Sequence, residues 1–169
     1  GAARNAIDCA LWDLEAKLSG VPTWQVINAA APQKLVTAYT LSLGDPDAMQ
    51  RQAAEHSWRA LLKVKVGTPD DAARIRAVRA GAPDSAIILD ANEGWTPENL
   101  AYHFALCAEA RIALVEQPLP AGNDSALRDI ARPVPICADE SVHQTQDIPK
   151  LADRYDAINI KLDKAGGLT

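Results

Sequence analysis

Five ionisable residues recur in this chain at nearly constant intervals, each at the end of a short apolar run. They are Lys65, Asp90, Glu116, Asp139 and Lys161, separated by 25, 26, 23 and 22 residues. One strand, one helix and two short loops take about that length, so each interval is predicted to be one βα unit. The five side chains then lie at equivalent places, the carboxyl ends of successive parallel strands, where α/β proteins bind their ligands.

The apolar runs and the stretches between them predict the fold class. The runs predict six strands, over Leu35–Leu43, Leu61–Val66, Ala86–Ala91, Ala113–Glu116, Pro135–Ala138 and Ala157–Leu162. Helical patterns cover Ala2–Leu18, Asp47–Arg59, Asp70–Arg79, Pro97–Ala110, Asp124–Ala131 and Asp147–Arg154. Buried strands that alternate with helices indicate an α/β protein with a parallel sheet. Because about eight strands close a parallel barrel, six strands predict a TIM-like barrel that is incomplete in this chain, and we expect the chain to be a fragment.

Composition excludes several classes of protein. A chain of 169 residues that is 48% hydrophobic and 23% charged suits one compact domain. A net charge of -5 argues against a nucleic-acid binder, and no apolar run approaches the roughly 18 residues needed to cross a bilayer. Three cysteines without metal-ligand spacing predict buried thiols in a reducing, cytoplasmic compartment: Cys9, Cys107 and Cys137.

Three of the five in-phase residues are carboxylates. Asp90, Glu116 and Asp139 have no histidine or cysteine companion, and an oxygen-only ligand set favours Mg²⁺, Mn²⁺ or Ca²⁺. A single aspartate after a strand is more often a helix cap, but three in phase favour a metal site. Glu140 neighbours Asp139 and is expected to point elsewhere. The histidines lack ligand spacing and are expected on the surface or in loops: His56, His103 and His143.

Two lysines lie together on the predicted strand that comes before the strand of Asp90. Lys63 and Lys65 are two residues apart and share one face, while Leu62, Val64 and Val66 face the helices. Two ammonium groups that point inward lower each other's pKa, and a nearby metal ion lowers it further. We therefore expect this pair to supply a general base near neutral pH.

The last predicted strand carries a second lysine with the same alternation. Asn159 and Lys161 are predicted to share one face, and Lys161 comes four strands after Lys65. That separation places the two lysines roughly across a closed barrel of eight strands. Two lysines on opposite sides of a substrate could remove a proton from one face and return it on the other.

The strand-end motifs, taken in order, resemble those of a known family. KVKVG, LDANEGW, VEQPLP, CADES and NIKLDKAGG are similar to the successive motifs of the enolase superfamily, in its muconate-lactonizing subgroup, and most closely to dipeptide epimerases of the L-Ala-D/L-Glu type. The resemblance implies a (β/α)7β barrel whose capping domain and last strands are missing here. Residues 1–34 are then a helix and linker from the capping domain, and residues 35–169 a partial barrel with the catalytic strands.

The resemblance also implies a metal and two catalytic groups. Asp90, Glu116 and Asp139 would bind Mg²⁺, with Mn²⁺ as a substitute. Lys65 and Lys161 would move the α-proton of the substrate through an ene-diolate. The activity implied is a Mg²⁺-dependent isomerase that inverts the α-carbon of a dipeptide.

Two further residues are implied to hold the substrate. Lys63 would contact the substrate carboxylate and tune Lys65. Thr40 in AYTLSLG matches a threonine that holds substrate, although a β-branched residue chosen for its strand position is the alternative reading.

Several alternatives stay open from the sequence. The partner is a dipeptide or an N-acyl amino acid carboxylate, with a homo-oligomer left open and no nucleic acid or membrane expected. N-succinylamino acid racemase, o-succinylbenzoate synthase and muconate cycloisomerase use similar lysines and carboxylates, and an Asp-x-Asp element on the last strand would separate dipeptide epimerases from them. An inactive, metal-binding barrel fragment is the non-enzyme alternative.

Overall fold

Among the residues that the structure describes, six parallel strands form one sheet, and their order in the sheet follows the chain. A computed structural model describes residues 1–27, 29–68 and 71–169. The strands are β1 (Tyr39–Leu41), β2 (Leu61–Lys65), β3 (Ala86–Asp90), β4 (Leu114–Glu116), β5 (Ile136–Ala138) and β6 (Ala157–Ile158). Each strand pairs in parallel with the next one along the chain. This in-order parallel sheet confirms the predicted α/β class and is the arrangement of a barrel wall.

Helices precede and connect these strands. They are α1 (Ala2–Ser19), α2 (Thr23–Val26), α3 (Pro46–Glu55), α4 (Asp71–Gly81), α5 (Leu100–Glu109), α6 (Ile148–Leu151) and α7 (Leu162–Ala165). Asp70, the predicted first residue of α4, lies outside the described residues. The helix predicted over Asp124–Ala131 is only a 3₁₀ turn over Ser125–Arg128. Asp124, the first residue of that predicted helix, accepts a hydrogen bond from Tyr155 and pairs with Arg154. No helix among the described residues is both long and apolar enough to cross a membrane.

The chain divides into two compact units. One comprises Val36–Asn159 with the whole sheet, and the other comprises Gly1–Leu35 with Ile160–Thr169. Within the second unit, Asp8 on α1 accepts hydrogen bonds from the backbone N–H groups of Leu168 and Thr169, at 2.6 and 3.3 Å.

Side chains in the sheet alternate between a buried apolar face and a charged face. Leu62 and Val64 are fully buried, whereas Lys63 and Lys65, which alternate with them along β2, stay partly exposed. The buried face comprises Leu41, Leu62, Val64, Ile87, Leu89, Val115, Ile136 and Ala138. This alternation confirms the prediction that the two lysines share the face opposite the helices.

The last strand is shorter than predicted. The strand expected over Ala157–Leu162 ends at Ile158, because its neighbour β5 itself ends at Ala138. The backbone N–H of Asn159 still donates to the Ala138 carbonyl at 2.8 Å. Residues Leu162–Ala165 form α7, and Lys161, immediately before this helix, has an extended backbone with φ -124° and ψ 126°.

One buried carboxylate joins the loops that follow β2 and β3. Asp71 accepts hydrogen bonds from the backbone N–H groups of Gly67 (2.7 Å) and Thr68 (3.1 Å) and from Trp95 Nε1 (2.8 Å). Trp95 stacks on His103 at 4.5 Å between ring centroids. His103 is buried, so its expected surface position is wrong, because the Trp95 ring covers it. The segments that follow Lys65 and Asp90 are thereby fixed to each other.

The same two loops make a backbone contact that only glycine allows. Gly67 has a φ of +116°, and a Cβ at this position would lie 2.4 Å from the carbonyl oxygen of Ala91. Gly122 also has a positive φ, of +76°, but a Cβ there would have no atom within 4 Å. We predict that Gly67→Ala lowers the free energy of unfolding by more than Gly122→Ala, which costs about 1 kcal/mol through its φ alone. Chemical denaturation of both variants measures the difference, and equal losses would show that the close approach carries no strain.

Candidate active site

The sheet places three of the predicted charged residues in one row. Lys65 pairs in register with Asp90, and Asp90 pairs with Glu116. Residues paired in register point to the same face of a parallel sheet, so the three side chains project from the carboxyl edge of the charged face. Asp90 and Glu116 are nearly inaccessible to solvent, at 1% and 3% exposure.

Two ammonium groups neutralise these carboxylates. Lys63 Nζ lies 2.9 Å from Asp90 Oδ2 and 2.7 Å from Glu116 Oε2, so it bridges both. Lys65 Nζ lies 2.7 Å from the same oxygen of Asp90 and donates to Asn92 Oδ1 at 2.6 Å. Buried charges require such pairing, because an unpaired ion in a protein interior is costly.

The charges shift one another's titration. Burial raises the pKa of the Asp90 carboxyl, but hydrogen bonds from Lys65 and Lys63 outweigh it and hold the pKa below its ordinary value. Burial, the charge of Asp90 and a hydrogen bond with Asp139 raise the pKa of Glu116 despite Lys63. Burial lowers the pKa of Lys63, yet its hydrogen bonds to Glu116 and Asp90 dominate, and the net pKa is raised. The expected lowering is therefore wrong for Lys63, because carboxylates surround its ammonium.

Asp139 follows β5 directly and is also buried, at 2% exposure. Its backbone N–H donates to Gln117 Oε1 at 2.9 Å, and the N–H of Ser141 donates to the same oxygen at 3.1 Å. Gln117 is itself fully buried and follows Glu116. The side chain after one predicted ligand thus fixes the backbone of another.

Sequence reasoning missed Gln117, although its position in VEQPLP was a signal. The turn after β4 puts Gln117 at a φ of +37°, and its Nε2 donates to the Leu119 carbonyl, Ser141 Oγ and Tyr155 Oη at 2.8–2.9 Å. A polar residue directly after a strand-end carboxylate indicates a loop anchor, but its partners come from distant loops that the spacing does not reveal.

Two asparagines complete the hydrogen bonding of the row. Asn159 Nδ2 donates to Glu116 Oε1 at 2.6 Å. Asn92, in the turn after β3, accepts from Lys65 and donates its Nδ2 to Glu140 Oε1 at 3.1 Å. Asn159 was expected on this face, whereas the role of Asn92 was not anticipated.

The two remaining predicted residues, Thr40 and Lys161, are not members of this row. Thr40 pairs in register with Lys63 and is exposed, so it projects from the same face as Lys63. Lys161 belongs to the unit that contains α1 and is exposed immediately before α7. Its placement across from Lys65 stays a prediction.

The donor set fits a hard divalent cation in its chemistry. Asp90, Glu116 and Asp139 offer only oxygen ligands at three successive strand ends, and all three side chains are buried. Burial and the charge of Asp90 raise the pKa of Glu116. Within the described part of the chain, no three side chains of ligand type are gathered closely enough to hold an ion. Lys63 Nζ, between Asp90 and Glu116, supplies the positive charge in this arrangement.

Family models match nearly the whole chain. The model described as Enolase C-terminal domain-like matches residues 46–169. The chain belongs to the enolase superfamily. The model described as Mandelate racemase / muconate lactonizing enzyme, N-terminal domain, matches residues 1–28. These matches confirm the resemblance drawn from the strand-end motifs, and the sheet observed here is part of that superfamily's barrel.

Curated relatives of this chain are isomerases by name. An L-Ala-D/L-Glu epimerase from Escherichia coli (strain K12) is 46% identical over 172 residues, which cover 100% of this chain and 53% of the relative. An N-acetyl-D-glutamate racemase from Pseudoalteromonas sp is 44% identical over 169 residues, with the same coverage of both chains. The chain thus spans about half the length of the curated relatives it matches.

Solved structures of similar proteins hold cations and dipeptides. An enolase family member from Agrobacterium tumefaciens, with homology to dipeptide epimerases, has bound sodium and L-Ala-L-Glu. Its TM-score is 0.95 at 63% identity, over 99% of this chain and 52% of that chain. A dipeptide epimerase from Enterococcus faecalis V583, complexed with Mg and L-Leu-L-Tyr, has a TM-score of 0.88 at 35% identity, over 98% of this chain and 49% of that one.

Removal of the Lys63 ammonium should leave two buried carboxylates without a shared cation. We predict that Lys63→Met lowers the free energy of unfolding by about 3–5 kcal/mol, because Asp90 and Glu116 then repel each other without a shared cation. Adding Glu116→Gln to that variant should recover part of the loss. Urea denaturation measures all three proteins. Lys17→Met, which breaks the exposed pair with Asp13, is the control and should cost less than about 1 kcal/mol. Similar losses for the two lysine variants would contradict the bridge.

The pKa values of the two row carboxylates should shift in opposite directions. Asp90 has a lowered pKa, so the stability it contributes is present above 3.8, the ordinary value, and is lost only as the pH falls below it. Glu116 has a raised pKa, so it takes up its proton above 4.5 and its ionised form opposes folding at neutral pH. Carbon-13 NMR of the labelled carboxyls measures both transitions. A Glu116 midpoint below 4.5 would show that the Lys63 ammonium outweighs burial and the charge of Asp90.

Proposed function

We propose that this chain carries part of the active site of a Mg²⁺-dependent epimerase that inverts the α-carbon of a dipeptide of the L-Ala-D/L-Glu type. The observation that carries the proposal is the row Lys65, Asp90 and Glu116, with Lys63 bridging the two carboxylates. The names of the curated relatives and the L-Ala-L-Glu bound to the Agrobacterium protein support the dipeptide as substrate class.

Lys65 is proposed as one acid/base. Its Nζ donates to Asp90 Oδ2 and to Asn92 Oδ1, and these two acceptors fix the position of the nitrogen. In the proposed reaction Lys65 donates a proton to one face of the α-carbon or removes a proton from it. Fixing the nitrogen in advance lowers the entropic cost of proton transfer.

Lys161 is proposed as the second acid/base, on the opposite face of the substrate. An epimerase needs one group to remove the α-proton and another to deliver a proton to the other face. Lys63 and Thr40 are neighbours on one face of β1 and β2. Lys63 is proposed to contact the substrate carboxylate and Thr40 to help hold the substrate. The ammonium of Lys63 stays charged because its pKa is raised, which suits binding of an anion rather than proton abstraction.

Asp90, Glu116 and Asp139 are proposed to hold Mg²⁺, with Mn²⁺ as a substitute. When bound, the cation lowers the energy of the negative charge that develops on the substrate carboxylate as the proton leaves. Gln117 and Asn159 keep these ligands in place, since Gln117 bonds the backbone of Asp139 and Asn159 bonds the Glu116 carboxylate.

Racemisation of an N-acyl amino acid is the second candidate function. The 44% identity to an N-acetyl-D-glutamate racemase favours it over the cycloisomerase and synthase alternatives. A free amino group on the substrate separates the two candidates, because a dipeptide carries one and an N-acyl amino acid does not. We propose a cytoplasmic location, in keeping with three cysteines that show no metal-ligand spacing, and small carboxylates as partners.

Proton exchange in D₂O tests the two-lysine scheme. The full gene product is loaded with Mg²⁺, and NMR follows the Glu α-proton of L-Ala-L-Glu and of L-Ala-D-Glu separately. Lys161→Ala should abolish exchange of one diastereomer and retain the other, and Lys65→Ala should show the opposite pattern. If either variant exchanged both diastereomers at equal residual rates, the result would contradict a scheme in which the two lysines act on opposite faces of the substrate. N-acetylglutamate enantiomers serve as the comparison substrate, and faster exchange of these would favour the second candidate.

A further inference from the structure

We propose that Glu140 is a positioning residue for Lys65 and that it acts through the side chain of Asn92. Glu140 Oε1 accepts from Asn92 Nδ2 at 3.1 Å, and Asn92 Oδ1 accepts from Lys65 Nζ at 2.6 Å. The three side chains form one chain of hydrogen bonds that begins in the loop after β5 and ends on the proposed acid/base. The kinetic consequence of this inference rests on the proposed function.

The chemistry of the amide gives the chain its direction. An asparagine side chain has a donor end and an acceptor end of nearly equal size, so only its partners decide which way it faces. An ionised carboxylate accepts and never donates, so Glu140 selects the NH₂ end of Asn92. The acceptor oxygen is then left for the ammonium of Lys65. With the amide reversed, its NH₂ group would face that ammonium as a second donor.

Backbone hydrogen bonds hold the turn that carries Asn92. Asn92 has a φ of +42°, a region that asparagine tolerates better than most residues. Its N–H donates to Asp90 Oδ1 at 3.1 Å, and the N–H of the next residue, Glu93, donates to the Gln117 carbonyl at 2.9 Å. The turn therefore fixes the position of the backbone from which the Asn92 side chain projects.

Glu140 is held on both sides and yet incompletely bonded. The backbone N–H groups of its neighbours, Asp139 and Ser141, both donate to Gln117 Oε1. Glu140 Oε2 is buried and has no hydrogen-bond partner among the described residues. An unsatisfied buried oxygen costs free energy, so stability alone does not account for a carboxylate here. Orientation of Asn92 does account for it.

The test uses the full gene product with Mg²⁺ and the exchange of both diastereomers of Ala-Glu in D₂O. Lys65→Ala first defines which diastereomer depends on Lys65. Glu140→Ala should lower exchange of that diastereomer by between about tenfold and a hundredfold, and leave the other unchanged. Glu140→Gln should restore most of the rate, because its side-chain oxygen still accepts from Asn92. Glu93→Ala is the matched control, since that carboxylate lies in the same turn but accepts from the Ala121 N–H instead.

Each outcome decides between positioning and a general structural role. Equal loss for both diastereomers in Glu140→Ala, or no loss, would overturn the inference. If the wild-type protein exchanges neither diastereomer, the proposed function fails, and the inference is then decided by crystal structures of the variants. Positioning predicts that the bond between Lys65 Nζ and Asn92 Oδ1 is lost in Glu140→Ala and kept in Glu93→Ala. A bond kept in both would overturn it.

Discussion

The ammonium of Lys63 between two buried carboxylates is the interaction on which the row of charged residues depends. Asp90 and Glu116 lie side by side on neighbouring strands, almost without access to solvent, and repel each other unless a cation lies between them. Parallel pairing forces this closeness, because it brings equivalent strand ends to one edge. The same geometry that creates the repulsion also creates a site for positive charge, supplied by lysines and, in the proposed enzyme, by a divalent cation.

The loops after the strands keep these groups in place without contributing charge to the row. Asp71 joins the loops after β2 and β3 through Gly67 and Trp95, and Gln117 joins the loops after β4 and β5 through its bonds to Asp139 and Ser141. Each side chain is buried and satisfies backbone N–H groups that a tight turn would leave unpaired. These hydrogen bonds between loops fix the positions of the side chains that the aligned strand ends bring near one another.

The sequence predicted what depends on period and spacing. The intervals between Lys65, Asp90 and Glu116 identified their common row, because one βα unit has a narrow range of lengths. The alternation in β2 predicted which face Lys63 occupies. Spacing does not encode which side chain meets which across two loops, so Asn92 and Gln117 were not predicted as partners of the site. The raised pKa of Lys63 was missed for a related reason, since the pattern showed the neighbouring lysine but not both carboxylates within reach.

The predicted strand to Leu162 failed because a strand requires a neighbour, and β5 ends at Ala138. Apolar alternation can be seen in one segment alone, whereas the hydrogen-bond ladder of a β-strand requires a second, paired segment. This difference matters for Lys161, whose proposed role depends on its place relative to Lys65.

The metal site itself has a more direct test. Crystals of the full gene product grown with Mn²⁺ should show an anomalous peak in contact with oxygens of Asp90, Glu116 and Asp139. A Mn²⁺-saturated protein without density among these three carboxylates would contradict the account.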